Sequence, residues 1–173
     1  VNNSTGSSNT ALGVQALQAN TTGYSNSAVG LQALFANTTG YENAAFGVGS
    51  AYSITTGIRN AAFGTNALRN ATTSANNTAV GDSAGFGITT GENNVAIGKN
   101  TMVGTCTGGW NVAVGGMDSG TIAALSAVTS GSYNSAVGNG ALGANTTASF
   151  NTAIGYQALR NNTTASYNVA IGY

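Results

Sequence analysis

The chain has 173 residues, a net charge of zero, no histidine, no proline and a single cysteine, and only 5% of its residues are charged. Nucleic-acid binding needs clustered basic residues, and a membrane helix needs about 20 apolar residues in a row; the sequence has neither. Disordered segments are usually charged and poor in apolar residues, so an apolar content of 42% argues for a folded chain.

One five-residue motif, Asn-x-Ala-apolar-Gly, recurs ten times from the N-terminal end to the C-terminal end. The closing glycines of successive copies are 17 positions apart, as Gly13 and Gly30 are. One interval, from Gly115 to Gly138, is six positions longer. A fixed period of this length predicts a stack of repeated structural units. The asparagines are Asn9, Asn26, Asn43, Asn60, Asn77, Asn94, Asn111, Asn134, Asn151 and Asn168. The closing glycines are Gly13, Gly30, Gly47, Gly64, Gly81, Gly98, Gly115, Gly138, Gly155 and Gly172.

The motif predicts a β-strand whose side chains alternate between two faces, with Asn, Ala and Gly on one face. Neither face carries charge, so we expect both to be buried. Coils stacked in register would place the asparagines in one hydrogen-bonded ladder, and the glycines would form corners with positive φ. The sequence therefore predicts an all-β fold, a parallel β-solenoid of about ten 17-residue coils, continuous over residues 1–173.

The rest of each coil has an apolar residue about four positions after the glycine, such as Leu17 or Leu34, and then a Thr-Thr-Gly turn. We expect two strands of about five residues and two turns per coil, around a narrow interior. So small a core favours association with other chains. The chain begins at Val1 without a signal segment and stops within a coil at Tyr173, so we expect more fibre or another subunit at each end.

Catalysis is not expected, because histidine is absent and the four carboxylates, Glu42, Asp82, Glu92 and Asp118, belong to different coils. No cofactor or metal is predicted.

One threonine column, broken only by Ser130, suggests either a ladder of turns or an ice-binding surface, and the ladder of turns is favoured. Sequons such as those at Asn20 and Asn37 are interpreted as turn residues in preference to glycosylation sites.

The aromatic residues before the asparagines are expected to pack along the axis or between chains; the alternative is an exposed stripe that binds glycan or protein. They are Tyr24, Tyr41, Trp110, Tyr133, Phe150 and Tyr167.

The single break in the period places six extra residues within 116–123. Insertions in a solenoid leave the core as lateral loops, while the following coils recover the register. We expect a loop that includes Gly116, Met117, Asp118 and Ser119. It is either a neutral insertion or a recognition element for a glycan or protein of a host surface.

With the repeat laid out, two groups of proteins show a resemblance. The strands NSAVG and NVAIG resemble the head repeats of YadA-like trimeric autotransporter adhesins. The longer unit NTAIGYQALRNNTT, at Asn151–Thr164, is similar to repeats of bacteriophage tail-fibre proteins. The resemblance implies a trimeric, left-handed parallel β-roll on a bacterial surface or a phage fibre. The adhesin repeat is usually shorter than the unit found in this chain and lacks the Thr-Thr-Gly turn, and no catalytic or ligand-binding residue carries over.

The function predicted from these features is a structural segment of an elongated extracellular or virion fibre, either a phage tail fibre or a surface adhesin. Its main partner would be the chain itself, as a homotrimer or an end-to-end polymer. The alternative is a single-chain solenoid that stacks end to end into an extracellular filament, and the third candidate is an ice-binding solenoid.

Overall fold

The computed structural model describes residues 5–117 and 122–173, and these residues form one sheet of ten parallel strands. Each coil contributes one strand, and each strand pairs with the strand of the next coil, so the sheet order follows the sequence order. The prediction of an all-β parallel solenoid is confirmed. The strands are β1 (Thr10–Leu12), β2 (Ser27–Val29), β3 (Ala44–Phe46), β4 (Ala61–Phe63), β5 (Thr78–Val80), β6 (Val95–Ile97), β7 (Val112–Val114), β8 (Ser135–Val137), β9 (Thr152–Ile154) and β10 (Val169–Ile171).

The register follows the repeat of the sequence. Ala28 lies opposite Ala45, and Ala45 lies opposite Ala62, so each motif position is stacked on its own copy. The same register is kept across the longer interval, where Ala113 lies opposite Ala136. Hydrogen bonds between strands therefore run along the solenoid axis, and consecutive coils are separated by the usual ~4.8 Å between paired strands.

The strands are shorter than the sequence predicts, and the expectation of two five-residue strands per coil is wrong. Each coil has a single three-residue strand, and most of the remaining residues form turns. Non-glycine residues adopt left-handed conformations at these turns, for example Ser25, Gln32 and Leu34 with φ of 55°, 58° and 50°. The strain is offset by bonds between coils, such as that from the Leu34 N–H to the Ser50 carbonyl at 3.0 Å.

The interior is narrow and is filled by two kinds of side chain. The alanine at the centre of each strand from β2 to β9 is fully buried. On the opposite side of the coil, a column of larger apolar residues that includes Leu17, Leu34 and Leu68 is also fully buried. Small residues meet large ones across the coil, so a coil of this small cross-section can close without a second sheet.

The two faces of the sheet differ in exposure, and the expectation that both are buried is wrong for the isolated chain. Asn, Ala and Gly face the interior side, whereas the apolar residue of each motif lies on the outer side. Phe46, Phe63 and Val80 keep 39%, 40% and 39% of their surface exposed. On the strand side the interior has room for alanine only, because the opposite side is filled by the column that includes Leu34 and Leu68, so the larger apolar side chains of the motif lie outside.

Candidate interaction surfaces

The ten motif asparagines form a continuous hydrogen-bonded column. Asn77 shows the pattern: its backbone N–H and its Nδ2 group both donate to Asn60 Oδ1 at 3.1 Å. The same Nδ2 group donates to the Gly91 carbonyl at 2.9 Å. From Asn26 to Asn151 these side chains are at most 2% exposed. Buried amides need such partners, so the column explains why this position is asparagine in every coil.

The ten motif glycines lie directly after the strands, with φ between 114° and 143°. Side chains rarely adopt this conformation. The neighbouring coil is also close: a Cβ atom added to Gly47 would lie 2.5 Å from the carbonyl oxygen of Gly64. Glycine is therefore required both by the backbone conformation and by the distance between coils.

The first threonine of each turn bonds to the next coil. Thr38 Oγ1 donates to the Thr55 carbonyl at 3.1 Å, and Thr146 Oγ1 donates to the Thr163 carbonyl at 3.2 Å. The preceding asparagine bonds within the turn: Asn37 Nδ2 donates to the Gly40 carbonyl at 3.0 Å. The sequon asparagines Asn20, Asn37 and Asn145 are fully buried and would be inaccessible to glycosylation in the folded chain.

The second threonine of each turn forms a different column, which is exposed in every coil. Its members are Thr5, Thr22, Thr39, Thr56, Thr73, Thr90, Thr107, Ser130, Thr147 and Thr164. These hydroxyl groups follow one another at the ~4.8 Å spacing of the coils. The result is a regular row of solvent-facing hydroxyl groups along one side of the solenoid.

The outer face of the sheet carries an apolar residue in every coil. It is defined by the fourth residue of each motif and is here called the outer ridge. Its members are Leu12, Val29, Phe46, Phe63, Val80, Ile97, Val114, Val137, Ile154 and Ile171. Beside it lies a shorter exposed row, Val14, Leu31 and Val48. Contiguous apolar patches on monomeric proteins rarely exceed a few hundred Å², so a ridge through ten coils is unusual.

The aromatic residues are stacked on one another along the axis. Trp110, Tyr133, Phe150 and Tyr167 form one column, with ring centroids 5.2, 4.9 and 5.0 Å apart and nearly parallel planes. Because neighbouring rings cover each other's faces, the ring edges make up most of the exposed surface. Sugar stacking needs a free ring face, so the geometry does not favour the glycan-binding stripe considered above.

The charged residues are scattered over the surface. Glu42 and Arg59 form an ion pair of 2.8 Å, with side chains 44% and 53% exposed. Asp82 and Glu92 are exposed and occupy different positions of the repeat, one directly after the motif glycine and the other two residues before the motif asparagine. Within the described ranges there is no group of three or more His, Cys, Asp or Glu residues that could hold a metal ion. The same residues include no helix of the length and apolarity needed to cross a membrane.

The only cysteine lies inside the solenoid. Cys106 is fully buried, and its backbone forms an isolated parallel β-bridge with Ile88 of the preceding coil. Burial disfavours the thiolate and raises the pKa of this thiol to about 11. A thiol of this kind is unreactive near neutral pH.

The described residues at both ends of the break lie in the solenoid. Gly116 and Met117 remain in the coil: the Met117 N–H donates to the Lys99 carbonyl at 2.8 Å, and Asn139 Nδ2 donates to the Gly116 carbonyl at 2.7 Å. At the other end, Ala123 is 1% exposed and belongs to the core. These three residues therefore do not lie in a lateral loop. Asp118 and Ser119, the other members of the predicted recognition loop, lie outside the described residues.

A groove of about 440 Å³ lies beside this break. It is lined by Ser83, Phe86, Asn100, Val103, Met117, Ile122, Ala123 and Ser126, and is here called the corner groove. The sequence analysis did not identify it. A signal is present at the residue that follows the buried column of Leu34 and Leu68, where large residues such as Phe35, Tyr52 and Arg69 give way to Ser126 and Gly143.

No family model matches this chain, and no curated protein or solved structure gives a significant match to it. The resemblance to tail-fibre and adhesin repeats, and the handedness and trimer that it implies, therefore stay predictions.

Proposed function

We propose that the chain is a structural segment of an elongated extracellular or virion fibre whose copies associate through the outer ridge. The observation that carries this proposal is the exposure of that ridge. Phe63, Ile97 and Ile154 keep 40%, 39% and 42% of their surface exposed in the isolated chain, although they are apolar. Burying such residues against another chain would release the free energy of apolar transfer, about 25 cal/mol per Å².

The size of the outer sheet face is compatible with an interface between chains. Ten coils at ~4.8 Å give a length of about 48 Å, and the face has a width of about 13 Å from the second motif residue, across the ridge, to the residue after the motif glycine. The product, about 600 Å², is at the lower end of what each partner buries in a specific protein–protein interface. The net charge of zero adds no long-range repulsion between copies.

The proposal assigns no catalysis to the chain. It is supported by the absence of histidine from the sequence and by the spacing of the four carboxylates, no two of which are closer than ten positions. A general acid and a general base would need to converge on one reacting atom. Rigidity and a repeating surface are the properties that the coils supply, and both suit a shaft that carries attachment elements.

Sedimentation and electron microscopy test the proposal. We expect the unmodified chain to form oligomers whose particles show several rods side by side about one axis. The double substitution Phe63→Lys and Ile97→Lys should weaken association at least tenfold, because it places unpaired charges in the interface. The control, Thr73→Lys and Thr90→Lys, adds the same charge to the exposed hydroxyl column and should leave association unchanged.

A folded monomer at micromolar concentration, or equal effects of the two double variants, would contradict the proposal. Single rods joined end to end in the micrographs would instead favour the single-chain filament. That arrangement leaves the outer ridge uncovered, so in such a filament the ridge variants would assemble like the unmodified chain.

Ice binding is a second candidate, favoured by the exposure of the second threonine column in every coil. A regular row of hydroxyl groups on a rigid scaffold could hold water in an ordered arrangement. Thermal hysteresis and ice shaping are the measurements. If the column binds ice, Thr73→Lys with Thr90→Lys should abolish both effects, whereas the ridge variants should retain them. A chain without thermal hysteresis at millimolar concentration would exclude this function.

A further inference from the structure

The corner groove runs between two columns of side chains along one corner of the solenoid. One column is the second residue after the motif glycine, represented by Ser83, Asn100 and Met117. The other is the fifth residue after that glycine, represented by Phe86 and Val103. The same pair of columns is present in the other coils, and near the C-terminal end Gln157 and Arg160 of these columns line a second groove, which is more polar.

The lining residues of the groove belong to three consecutive coils. Arg69, one coil earlier in the same column as Phe86, is turned away from the groove: its guanidinium donates to Asn66 Oδ1 at 2.7 Å and lies 4.7 Å from the ring centroid of Tyr52. On the C-terminal side, Ile122 packs over Gly140 and Gly143, where any side chain on Gly143 would overlap it. The open length is therefore limited to about three coils, or ~14 Å at the spacing of paired strands.

The lining is uncharged and mostly apolar. Phe86, Val103, Met117 and Ile122 supply the walls. A volume of about 440 Å³ is within the range of roughly 300–1,000 Å³ that is usual for small-molecule pockets. Because such walls offer no partner to an ion, a charged ligand would lose its hydration without compensation.

Most of the polar groups at the edge are already engaged. Ser83 Oγ bonds to Asp82 Oδ1 at 3.2 Å, and Ser126 Oγ donates to the Gly143 carbonyl at 3.1 Å. Asn100 Nδ2 lies 3.8 Å from Met117 Sδ. Asn100 Oδ1 has no donor among the residues that the structure describes, so it is the acceptor left for a ligand. A polyhydroxylated sugar would need more free partners than this.

We propose that the corner groove binds a small, uncharged, mainly apolar molecule, aromatic or branched aliphatic, with one hydroxyl or N–H group that donates to Asn100 Oδ1. The apolar part would lie against Phe86, Val103 and Ile122. This site is separate from the outer ridge, and it does not depend on whether the chain forms a fibre.

Methyl NMR with benzyl alcohol as the probe tests the site on the assembled protein. Shifts of the Met117 and Ile122 methyl groups should saturate with one common dissociation constant. The methyl groups of Thr73 and Thr90, exposed in the second threonine column and outside both the groove and the outer ridge, serve as internal controls and should shift little and without saturation. Linear shifts of equal size at all four residues would overturn the proposal, because they would indicate non-specific contact with apolar surface.

The repeat itself supplies matched variants. Val103→Phe introduces at this column the residue type that Phe35 and Phe86 already represent, so the fold should tolerate it while the ring fills the groove. We expect affinity for benzyl alcohol to fall at least tenfold. Gln18→Phe makes the same residue in the same column of a distant coil and should leave affinity unchanged. Ser126→Phe is a second filling variant, and retention of full affinity by both filling variants would overturn the proposed location.

The hydrogen-bond part of the proposal has its own test. Toluene has the same ring as benzyl alcohol without the hydroxyl, so it should bind several-fold more weakly to the unmodified chain. In Asn100→Leu the difference between the two probes should disappear. An unchanged difference in that variant would overturn the role of Asn100 Oδ1.

Discussion

The interior columns and the outer columns of the solenoid follow different rules, although both repeat at the same period. Inside, the motif asparagine and alanine are the same in all ten coils. Outside, the ridge position accepts Leu, Val, Phe or Ile, and the position before each asparagine ranges from Ser25 through Glu42 to Trp110. The residue type is fixed where a side chain must hydrogen-bond to the equivalent residue of the next coil or avoid overlapping it. The side chain varies in size where it contacts solvent.

The largest expected effect comes from breaking the closest contact of the interior. Gly47→Ala should lower the free energy of unfolding by at least about 3 kcal/mol, because the new Cβ would lie 2.5 Å from the Gly64 carbonyl oxygen and φ is 138°. Chemical denaturation of the purified variant measures this loss.

Gly172→Ala is the control for this substitution. Its φ of 128° is similarly strained, but a Cβ there has no atom within 4 Å. We expect this variant to show only the conformational strain, about 1–3 kcal/mol. Equal losses in the two variants would mean that the distance between coils is not what fixes glycine.

The next largest effect concerns the asparagine column. Asn77→Ala removes both bonds that the Nδ2 group donates, and it leaves the backbone and side-chain donors of Asn94 without their acceptor, Asn77 Oδ1. We expect a loss of about 2–4 kcal/mol in the free energy of unfolding, measured by chemical denaturation, since buried polar partners are left unsatisfied.

Asn168→Ala tests the same chemistry at the end of the column. Asn168 is half-buried and donates to Asn151, but no described residue donates to its Oδ1. We expect roughly half the loss of the Asn77 variant. A loss at Asn168 as large as that at Asn77 would show that stacking of coils on both sides is not the source of the stability.

The smallest effect is a pH dependence from Cys106. The ordinary pKa of this thiol, which it would have in an unfolded chain, is 9.0. Its folded pKa is about 11, so the folded state holds the proton between these values. Stability is therefore complete below the unfolded pKa and falls as pH rises towards the folded pKa.

Thermal denaturation of the unmodified chain and of Cys106→Ala between pH 8 and pH 10 isolates the contribution of this thiol, because the two proteins share every other ionisable group. The unmodified chain should lose about 1–2 kcal/mol more than the variant over that range. Parallel curves for the two proteins would contradict burial of the thiol.

The period alone predicts the parallel fold and its register. A glycine every few residues excludes helices, and a fixed spacing stacks each position on its copy. The face that points inward could not be read from alternation, because both faces lack charge. Hydrophobicity suggests that Phe46 or Ile97 should be inside, yet the coil is too narrow for them, and asparagine amides are buried because their copies satisfy them.

The backbone conformation at the corners also could not be predicted from residue propensities. Leu17 and Leu34 have φ of 50°, a conformation that sequence rules assign to glycine or asparagine. They adopt it because bonds from neighbouring coils fix the backbone, which is a property of the stack and not of the local sequence. The corner groove depends in the same way on side chains of three coils, among them Phe86, Val103 and Ile122.

The stacking of single strands along one axis has a mechanical consequence. Tension along that axis pulls against the coil-to-coil hydrogen bonds one coil at a time, so the rod should lengthen in steps and not in a single event. Each released coil of the regular repeat would add about 55 Å of contour, from ~3.5 Å per extended residue less the folded spacing. The longer interval between Gly115 and Gly138 would add about 75 Å, so a force–extension trace would carry one longer step whose place in the series marks the break in the repeat.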